Sequence, residues 1–164
     1  MQEVANKGIL CQASEKGKII INKCINKDLF INTLKMEKLL ILVHGNMLAQ
    51  YNKPFFNENV VTYGRGLIIE EVDRDFLEGA VFFNKRYTEY VTLLDKEEEM
   101  VDRIIKLYGS LRVYDLNQLS FLKKIEDKYA TSNMKSIISN EAIKEAFTLF
   151  PQYKKELRTI KIKS

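Results

Sequence analysis

The chain has 164 residues, of which 46% are hydrophobic and 29% are charged. This length fits one globular domain, and the apolar content is enough to offset the entropy lost on ordering the chain, which excludes a disordered protein. Only 7 glycines and 2 prolines are present, so the composition favours helices over a β-sandwich or a β-barrel.

The net charge of +4 is concentrated at the end of the chain. Five of the 26 basic residues and one of the 22 acidic residues lie in 151–164, so residues 1–150 carry 21 of each. We therefore divide the chain into a neutral domain over 1–150 and a basic tail over 151–164. A nucleic-acid-binding domain usually spreads its bases over one face, so nucleic-acid binding remains a hypothesis for the tail. The basic residues of the tail are Lys154, Lys155, Arg158, Lys161 and Lys163.

Targeting signals and cysteine usage indicate a cytoplasmic protein. The start of the chain, Met1 to Glu3, lacks the basic and apolar regions of a signal peptide. The longest apolar run, from Leu39 to Val43, is far shorter than the ~20 residues that cross a membrane. Cys11 and Cys24 have no CxxC partner, so we predict two free thiols in a reducing compartment.

The first elements in chain order are predicted from apolar spacing. Residues 3–15 favour a helix that ends near Gly17, and the β-branched run from Ile19 to Ile21 fits either a strand or a helix. Residues 26–32 are expected to form a connection, with Leu29 and Phe30 packed inward.

The strongest helical pattern covers residues 35–51. Thr33 is the predicted N-cap, and Asn52, just before Pro54, is the predicted end. The apolar positions are so numerous that we expect a central helix buried on most sides. One stripe with helical spacing contains Met36, Leu39, Leu40, Val43, Met47 and Tyr51.

A short strand or hairpin is predicted over 55–63, ending at a turn formed by Gly64 and Gly66. Residues 67–77 follow helical spacing, whereas the aromatic-rich residues 82–94 fit no single type of element.

The second half of the chain carries helix-start signals. A capping box at 95–98, with Asp95 as N-cap, opens a helix that ends at Gly109, and residues 115–118 repeat the pattern for another helix. Ser139 or Asn140 is expected to cap the last helix. We therefore predict a mainly α fold: a single compact helical domain of five to seven helices with one small β element.

Few side chains fit a catalytic or metal site. His44 is the only histidine, and a single imidazole inside an apolar helix is typical of a packed core residue. Glu71, Asp75 and Glu78 share a helical face, which favours a solvated surface over a metal-dependent hydrolase. The Gly64 to Gly66 turn lacks the sequence of a phosphate-binding loop. We predict no catalytic residue, no metal, no cofactor and no small-molecule substrate.

Aromatic residues surround the glycine turn, with basic residues between them. Most of these rings are expected in the core, but aromatic and arginine side chains are also enriched where proteins bind one another. We therefore predict partner contacts at Lys53, Tyr63 and Arg65. An Arg65→Ala substitution is expected to weaken partner binding by about 1–3 kcal/mol without unfolding the domain.

Two ordered segments resemble a known family. Residues 38–56 read KLLILVHGNMLAQYNKPFF, and residues 61–76 begin VTYGRGLI and end at Phe76. Together with the stretch from Val101 to Gly109 and the residues 115–119, they resemble the SocA-like, or Panacea, antitoxin domain over about residues 34–120.

The resemblance implies a mostly helical, non-enzymatic domain that binds a protein. Members of the family commonly bind a toxin, which they neutralise or present to a protease, and some occur in phages and mobile elements. A second hypothesis is a phage-encoded inhibitor of a bacterial defence nuclease, of the anti-CRISPR type. In either case the expected partner is a protein.

Overall fold

A computed structural model describes residues 10–63, 66–76, 83–129 and 134–149. These residues form seven helices and a small antiparallel sheet, which confirms the prediction of a mainly α domain with a small β element. The basic tail lies outside the described residues. The helices are α1 (Gln12–Asn26), α2 (Thr33–Tyr51), α3 (Glu70–Asp75), α4 (Asp95–Tyr108), α5 (Val113–Asn117), α6 (Ser120–Tyr129) and α7 (Asn140–Leu149), and the strands are β1 (Val60–Thr62), β2 (Leu67–Ile68) and β3 (Ser136–Ile138).

Helix α2 is the centre of the domain. Every residue from Lys35 to Leu48 is buried, because α1, α4, α5 and α7 all pack against this helix. A helix that is apolar on all sides must be covered on all sides to remain soluble. The prediction of a central, largely buried helix is confirmed.

The two ends of α2 are set by asparagines. Asn32, rather than the predicted Thr33, is the N-cap, because its Oδ1 accepts a hydrogen bond from the Lys35 backbone N–H at 2.9 Å. The prediction was one residue late, and Thr33 is already the first helical residue. At the other end Asn52 adopts φ 56°, a left-handed conformation that stops the helix as predicted.

Helix α1 does not end near Gly17, so that prediction was wrong. A Cβ on Gly17 would lie 2.6 Å from Met36 Sδ, and glycine here permits close packing of α1 on α2. The run from Ile19 to Ile21 is therefore helical. The first backbone N–H groups of α1 are bound from outside the helix, since Glu58 accepts from Gln12 and Ala13.

The strand or hairpin predicted over 55–63 is present as the single strand β1, which pairs with two strands that the sequence did not predict. Strand β1 lies between β2 and β3, with Val61 opposite both Ile68 and Ile137. Gly66, at φ 102°, lies in the turn. The inner face of the sheet packs on the core through Val60 and other buried residues.

Two other predictions around the hairpin were wrong. The helix expected over 67–77 is shorter, because Leu67 and Ile68 form β2 and the helix covers only Glu70–Asp75. Phe30 does not pack inward, since it is 56% exposed, although Leu29 packs against the core. Residues 83–94, for which the sequence favoured no single type of element, form no helix or strand.

The caps of the later helices are also partly shifted. Leu94, not Asp95, is the N-cap of α4, and its backbone N–H donates to Glu97 Oε1 at 3.0 Å. The second capping box, at 115–118, was expected to start a helix. Its position was wrong, because α5 already covers Val113–Asn117 and the next helix, α6, begins at Ser120. Gly109 ends α4 as predicted. Ser139 caps α7, as its Oγ accepts from the Ala142 N–H at 3.1 Å.

Candidate functional site

Two of the predicted contact residues, Lys53 and Tyr63, do not lie together. Tyr63 follows β1 at the hairpin and is 40% exposed. Lys53 is exposed just after the C-terminal end of α2, whereas Lys38, near the other end, binds the hairpin backbone. The 14 residue steps from Lys38 to Asn52 correspond to about 21 Å along the helix axis, at about 1.5 Å per residue. Lys53 therefore belongs to another region of the surface, and Arg65 lies outside the described residues.

Tyr63 belongs to the outer face of the sheet. Paired residues of neighbouring strands share a face, so Val61, Ile68 and Ile137 lie on the side opposite the core residues. Val61 is buried, whereas Ile137 is 55% exposed. Tyr63 directly follows β1 and Lys135 directly precedes β3. Each lies two positions from a residue of this face, Val61 or Ile137, so the alternation of side chains places both on the same side. We call this surface the outer sheet face; its members are Val61, Tyr63, Ile68, Lys135 and Ile137.

An exposed polar network crosses the outer sheet face. The Tyr63 hydroxyl donates a hydrogen bond to Glu70 Oε2, and the Lys135 ammonium forms an ion pair with Glu70 Oε1 at 3.1 Å. The hydrogen bond to Glu70 raises the pKa of Tyr63 and lowers that of the Glu70 carboxyl. An aromatic ring and an exposed isoleucine beside a polar network are typical of a protein-binding surface.

Charged side chains bind the backbone on the other edge of the hairpin. Strand β2 is an edge strand of the described sheet. Lys38 Nζ donates to the Leu67 carbonyl at 2.6 Å, and Glu37 Oε2 accepts from the Ile69 N–H at 3.1 Å. Glu126 of α6 accepts from the Gly66 N–H. We call Glu37, Lys38 and Glu126 the edge clamp, because they occupy the place of a further strand.

Glu37 is the most unusual member of the edge clamp. Its side chain is completely buried, and among the described residues its Oε1 has no hydrogen-bond donor. Burial, together with the nearby charge of Asp73 on α3, raises the pKa of the Glu37 carboxyl to about 8. The pKa of Asp73 is also raised, chiefly by burial. Two ionised carboxylates cannot hydrogen-bond each other, so a hydrogen bond between Glu37 and Asp73 requires a proton on one of them.

Lys38 lies in a similarly closed environment. It is 4% exposed, and burial lowers the pKa of its ammonium group. A cavity of about 10 Å³ next to it is lined by Gly66, Asn117 and Glu126, among others, which is at the lower limit for a single water molecule. This cavity leaves no room for a substrate beside Lys38.

His44 occupies the core, where its ring is fully hydrogen-bonded. Its Nδ1 accepts from the Phe55 N–H at 3.0 Å, so Nε2 carries the proton that it donates to Asn140 Oδ1 at 3.1 Å. The ring stacks on Phe56 with centroids 4.0 Å apart. Burial lowers the pKa of His44 to about 4. The prediction of a packed core histidine agrees with this environment.

The acidic face predicted on α3 has a local structural role. Asp75 accepts from the Cys11 backbone N–H at 3.1 Å and so helps to begin α1; Glu78 lies outside the described residues. Within the described ranges, no group of three or more histidine, cysteine, aspartate or glutamate side chains could hold a metal ion. Burial raises the pKa of both cysteine thiols to about 11, which makes them poor nucleophiles.

A second concave surface lies between α1 and residues 86–93. This groove of about 490 Å³ is lined by Asn22, Lys23, Arg86 and Tyr90, among others. The Asn22 amide binds the backbone of Tyr87 at both its N–H and its carbonyl. Lys23 is itself paired with two acidic residues of α4, so the groove has no strong charge of one sign.

Sequence reasoning missed the edge clamp. The only local signal was the pair Glu37 and Lys38 inside an otherwise apolar helix, which is also the pattern of an ordinary solvated stripe. Glu126 is separated from the hairpin by about 60 residues, and no spacing rule relates the two.

Comparison with known proteins identified no relative of this chain. No family model, curated protein or solved structure matches the chain. Within the described part of the chain, none of the helices combines the length and the apolar character that crossing a lipid bilayer requires.

Proposed function

We propose that this protein is a non-enzymatic binding module of the antitoxin type, which binds a partner protein through the outer sheet face and thereby neutralises it or presents it to a protease. The observation that carries the proposal is the exposed pair Tyr63 and Ile137 on one sheet face, beside the ion pair of Glu70 and Lys135. Interfaces between proteins commonly have aromatic and aliphatic side chains at the centre and charged side chains at the rim.

The resemblance to the SocA-like family supports this proposal from the sequence. Its first segment coincides with α2 and the chain up to Phe56, and its second coincides with the hairpin and α3. His44, Phe55 and Phe56 in the first segment are core residues. The second segment contains Tyr63, which is exposed. Both segments therefore contribute to the core, and the second also presents Tyr63 at the surface.

The test is affinity capture from the native host with the full chain, followed by titration of the captured partner. We expect Tyr63→Ala and Ile137→Asp each to weaken binding at least about tenfold, since central anchors carry most of the energy of an interface. Their thermal unfolding midpoints should match that of the unmodified chain. Tyr90→Ala is the matched control, because this exposed tyrosine lies beside the groove and outside the outer sheet face.

The identity of the captured protein decides between the two protein partners. A small toxin supports the antitoxin hypothesis, whereas a defence nuclease complex supports the inhibitor hypothesis. Normal binding by both Tyr63→Ala and Ile137→Asp would contradict the assignment of the outer sheet face. DNA retention that depends on residues 151–164 and weakens steeply with salt would instead support the nucleic-acid hypothesis for the tail.

A further inference from the structure

The edge clamp and its acidic neighbour join three elements of the domain. Glu37 and Lys38 extend from α2, Glu126 extends from α6, and Asp73 belongs to α3. The backbone groups that they bind lie at the edge of β2 and just before α3. Unpaired backbone groups at a buried edge are costly. The attachment of the hairpin and α3 to the rest of the domain therefore depends on the state of these side chains.

Protonation of one carboxyl group decides whether the hydrogen bonds of this cluster are complete. When both Glu37 and Asp73 are ionised, two negative charges face each other in a buried site, and Glu37 Oε1 has no donor among the described residues. When one carboxyl is protonated, the two groups share a hydrogen bond and the repulsion disappears. Glu37 Oε2 then still accepts from the Ile69 N–H.

We propose that the edge clamp is a proton-controlled latch: a proton shared by Glu37 and Asp73 holds β2 and α3 against α2, and loss of this proton loosens them. The hairpin carries Tyr63 on its outer side. The latch therefore regulates the presentation of the outer sheet face, a consequence that rests on the proposed function.

Neighbouring charges modulate the latch. Lys38, on the same helix, favours the ionised form of Glu37, and Glu126 faces Lys38 from α6. Glu70 adds a further negative charge near Asp73. The closed state binds the Glu37 proton with a pKa of about 8, whereas an exposed glutamate has an ordinary value near 4.5. The closed state is therefore favoured fully below pH 4.5, and this advantage is lost as the pH rises towards 8.

Amide hydrogen exchange of the full chain tests the latch without any partner. Between pH 5.5 and 7.5, the protection factor of the Ile69 amide should fall about tenfold per pH unit after correction for the intrinsic exchange rate. In Glu37→Gln the neutral side chain keeps an acceptor for this amide, so its protection should stay constant. Glu126→Gln, which leaves the carboxyl pair intact, is the matched control and should keep the fall of the unmodified chain.

A second amide and a second variant complete the test. The Leu42 amide in the middle of α2 reports global unfolding. Between pH 5.5 and 6.5 its protection should stay nearly constant, because Glu37 and His44 affect global stability in opposite directions there, whereas the protection of Ile69 should fall. If Glu37→Gln does not fold, Asp73→Asn replaces it, because an amide can donate to the ionised Glu37 and should also reduce the pH dependence.

The latch is overturned if Ile69 protection in the unmodified chain is independent of pH, if Glu37→Gln retains the full fall, or if Leu42 loses protection in parallel with Ile69 between pH 5.5 and 6.5. Failure of the Tyr63 and Ile137 variants to affect capture would contradict the proposed function and leave the exchange result unchanged. The two failures are therefore distinguishable.

Discussion

The two halves of α2 both bury polar side chains, but they satisfy them differently. In the C-terminal half, His44 is neutral and both of its ring nitrogens are hydrogen-bonded. In the N-terminal half, Glu37 has one oxygen without a donor and faces the carboxyl of Asp73. Burial of a polar group is thus not by itself a functional signal. A protonation equilibrium becomes part of the structure only where the hydrogen bonds are complete in one protonation state and incomplete in the other.

Removal of the ring that packs on the C-terminal half of α2 should cause the largest loss of stability. Phe56 is 1% exposed and stacks on His44. Phe56→Ala should lower the free energy of unfolding by about 3–5 kcal/mol, because it removes a buried ring and leaves a cavity. Urea denaturation monitored by circular dichroism measures this loss.

Phe30→Ala is the matched control for this prediction, since Phe30 is 56% exposed. It should change the unfolding free energy by less than about 1 kcal/mol. Equal losses for the two phenylalanine variants would show that the stack on His44 is not a centre of stability.

Each half of α2 takes part in one close contact at a glycine. Gly45 of α2 packs against Phe147, and Gly17 of α1 packs against Met36 of α2. A Cβ on Gly45 would lie 2.3 Å from the ring of Phe147, whereas a Cβ on Gly17 would lie 2.6 Å from the thioether of Met36. A methionine adapts more easily than a packed ring. Gly45→Ala should therefore destabilise by about 1–3 kcal/mol, and Gly17→Ala by clearly less. Thermal unfolding of both variants checks the order, and a larger loss for Gly17→Ala would contradict it.

Much of the fold could be predicted because its signals are local. The apolar run of α2, the left-handed Asn52 and the positive φ of Gly66 are each encoded within a few residues, and all three appear in the structure. The errors arose where distant residues decide. Gly17 resembled a helix end, but close packing against Met36 explains it. Strand β3 was missed because its pairing with β1 depends on residues far apart in the sequence.

The candidate site could be predicted only in part, for the same reason. The aromatic residues near the glycine turn drew attention to Tyr63, which is exposed. Periodicity could not place Lys53 at the other end of α2, nor show that Ile137 shares a sheet face with Val61. The edge clamp was not predictable, since the burial of Glu37 depends on α3 packing over it.

The pH dependence of the unfolding free energy should distinguish the two halves of α2. The unfolded chain binds a proton at His44 below pH 6.5, but the folded chain does so only near pH 4. The stability from neutral His44 is therefore lost as the pH falls between these values. Glu37 acts in the opposite direction, because its pKa is raised to about 8 and acid favours the folded form. Each contributes about 1.4 kcal/mol per pH unit where the two ranges overlap.

The most direct measurement is the free energy of unfolding in urea at pH 6.5 and pH 5.0 for three chains. The unmodified chain should change little, because the two contributions oppose each other. On acidification Glu37→Gln should lose about 2 kcal/mol and His44→Gln should gain about 2 kcal/mol relative to their values at pH 6.5. The same pH dependence in all three chains would contradict the account of the two halves of α2.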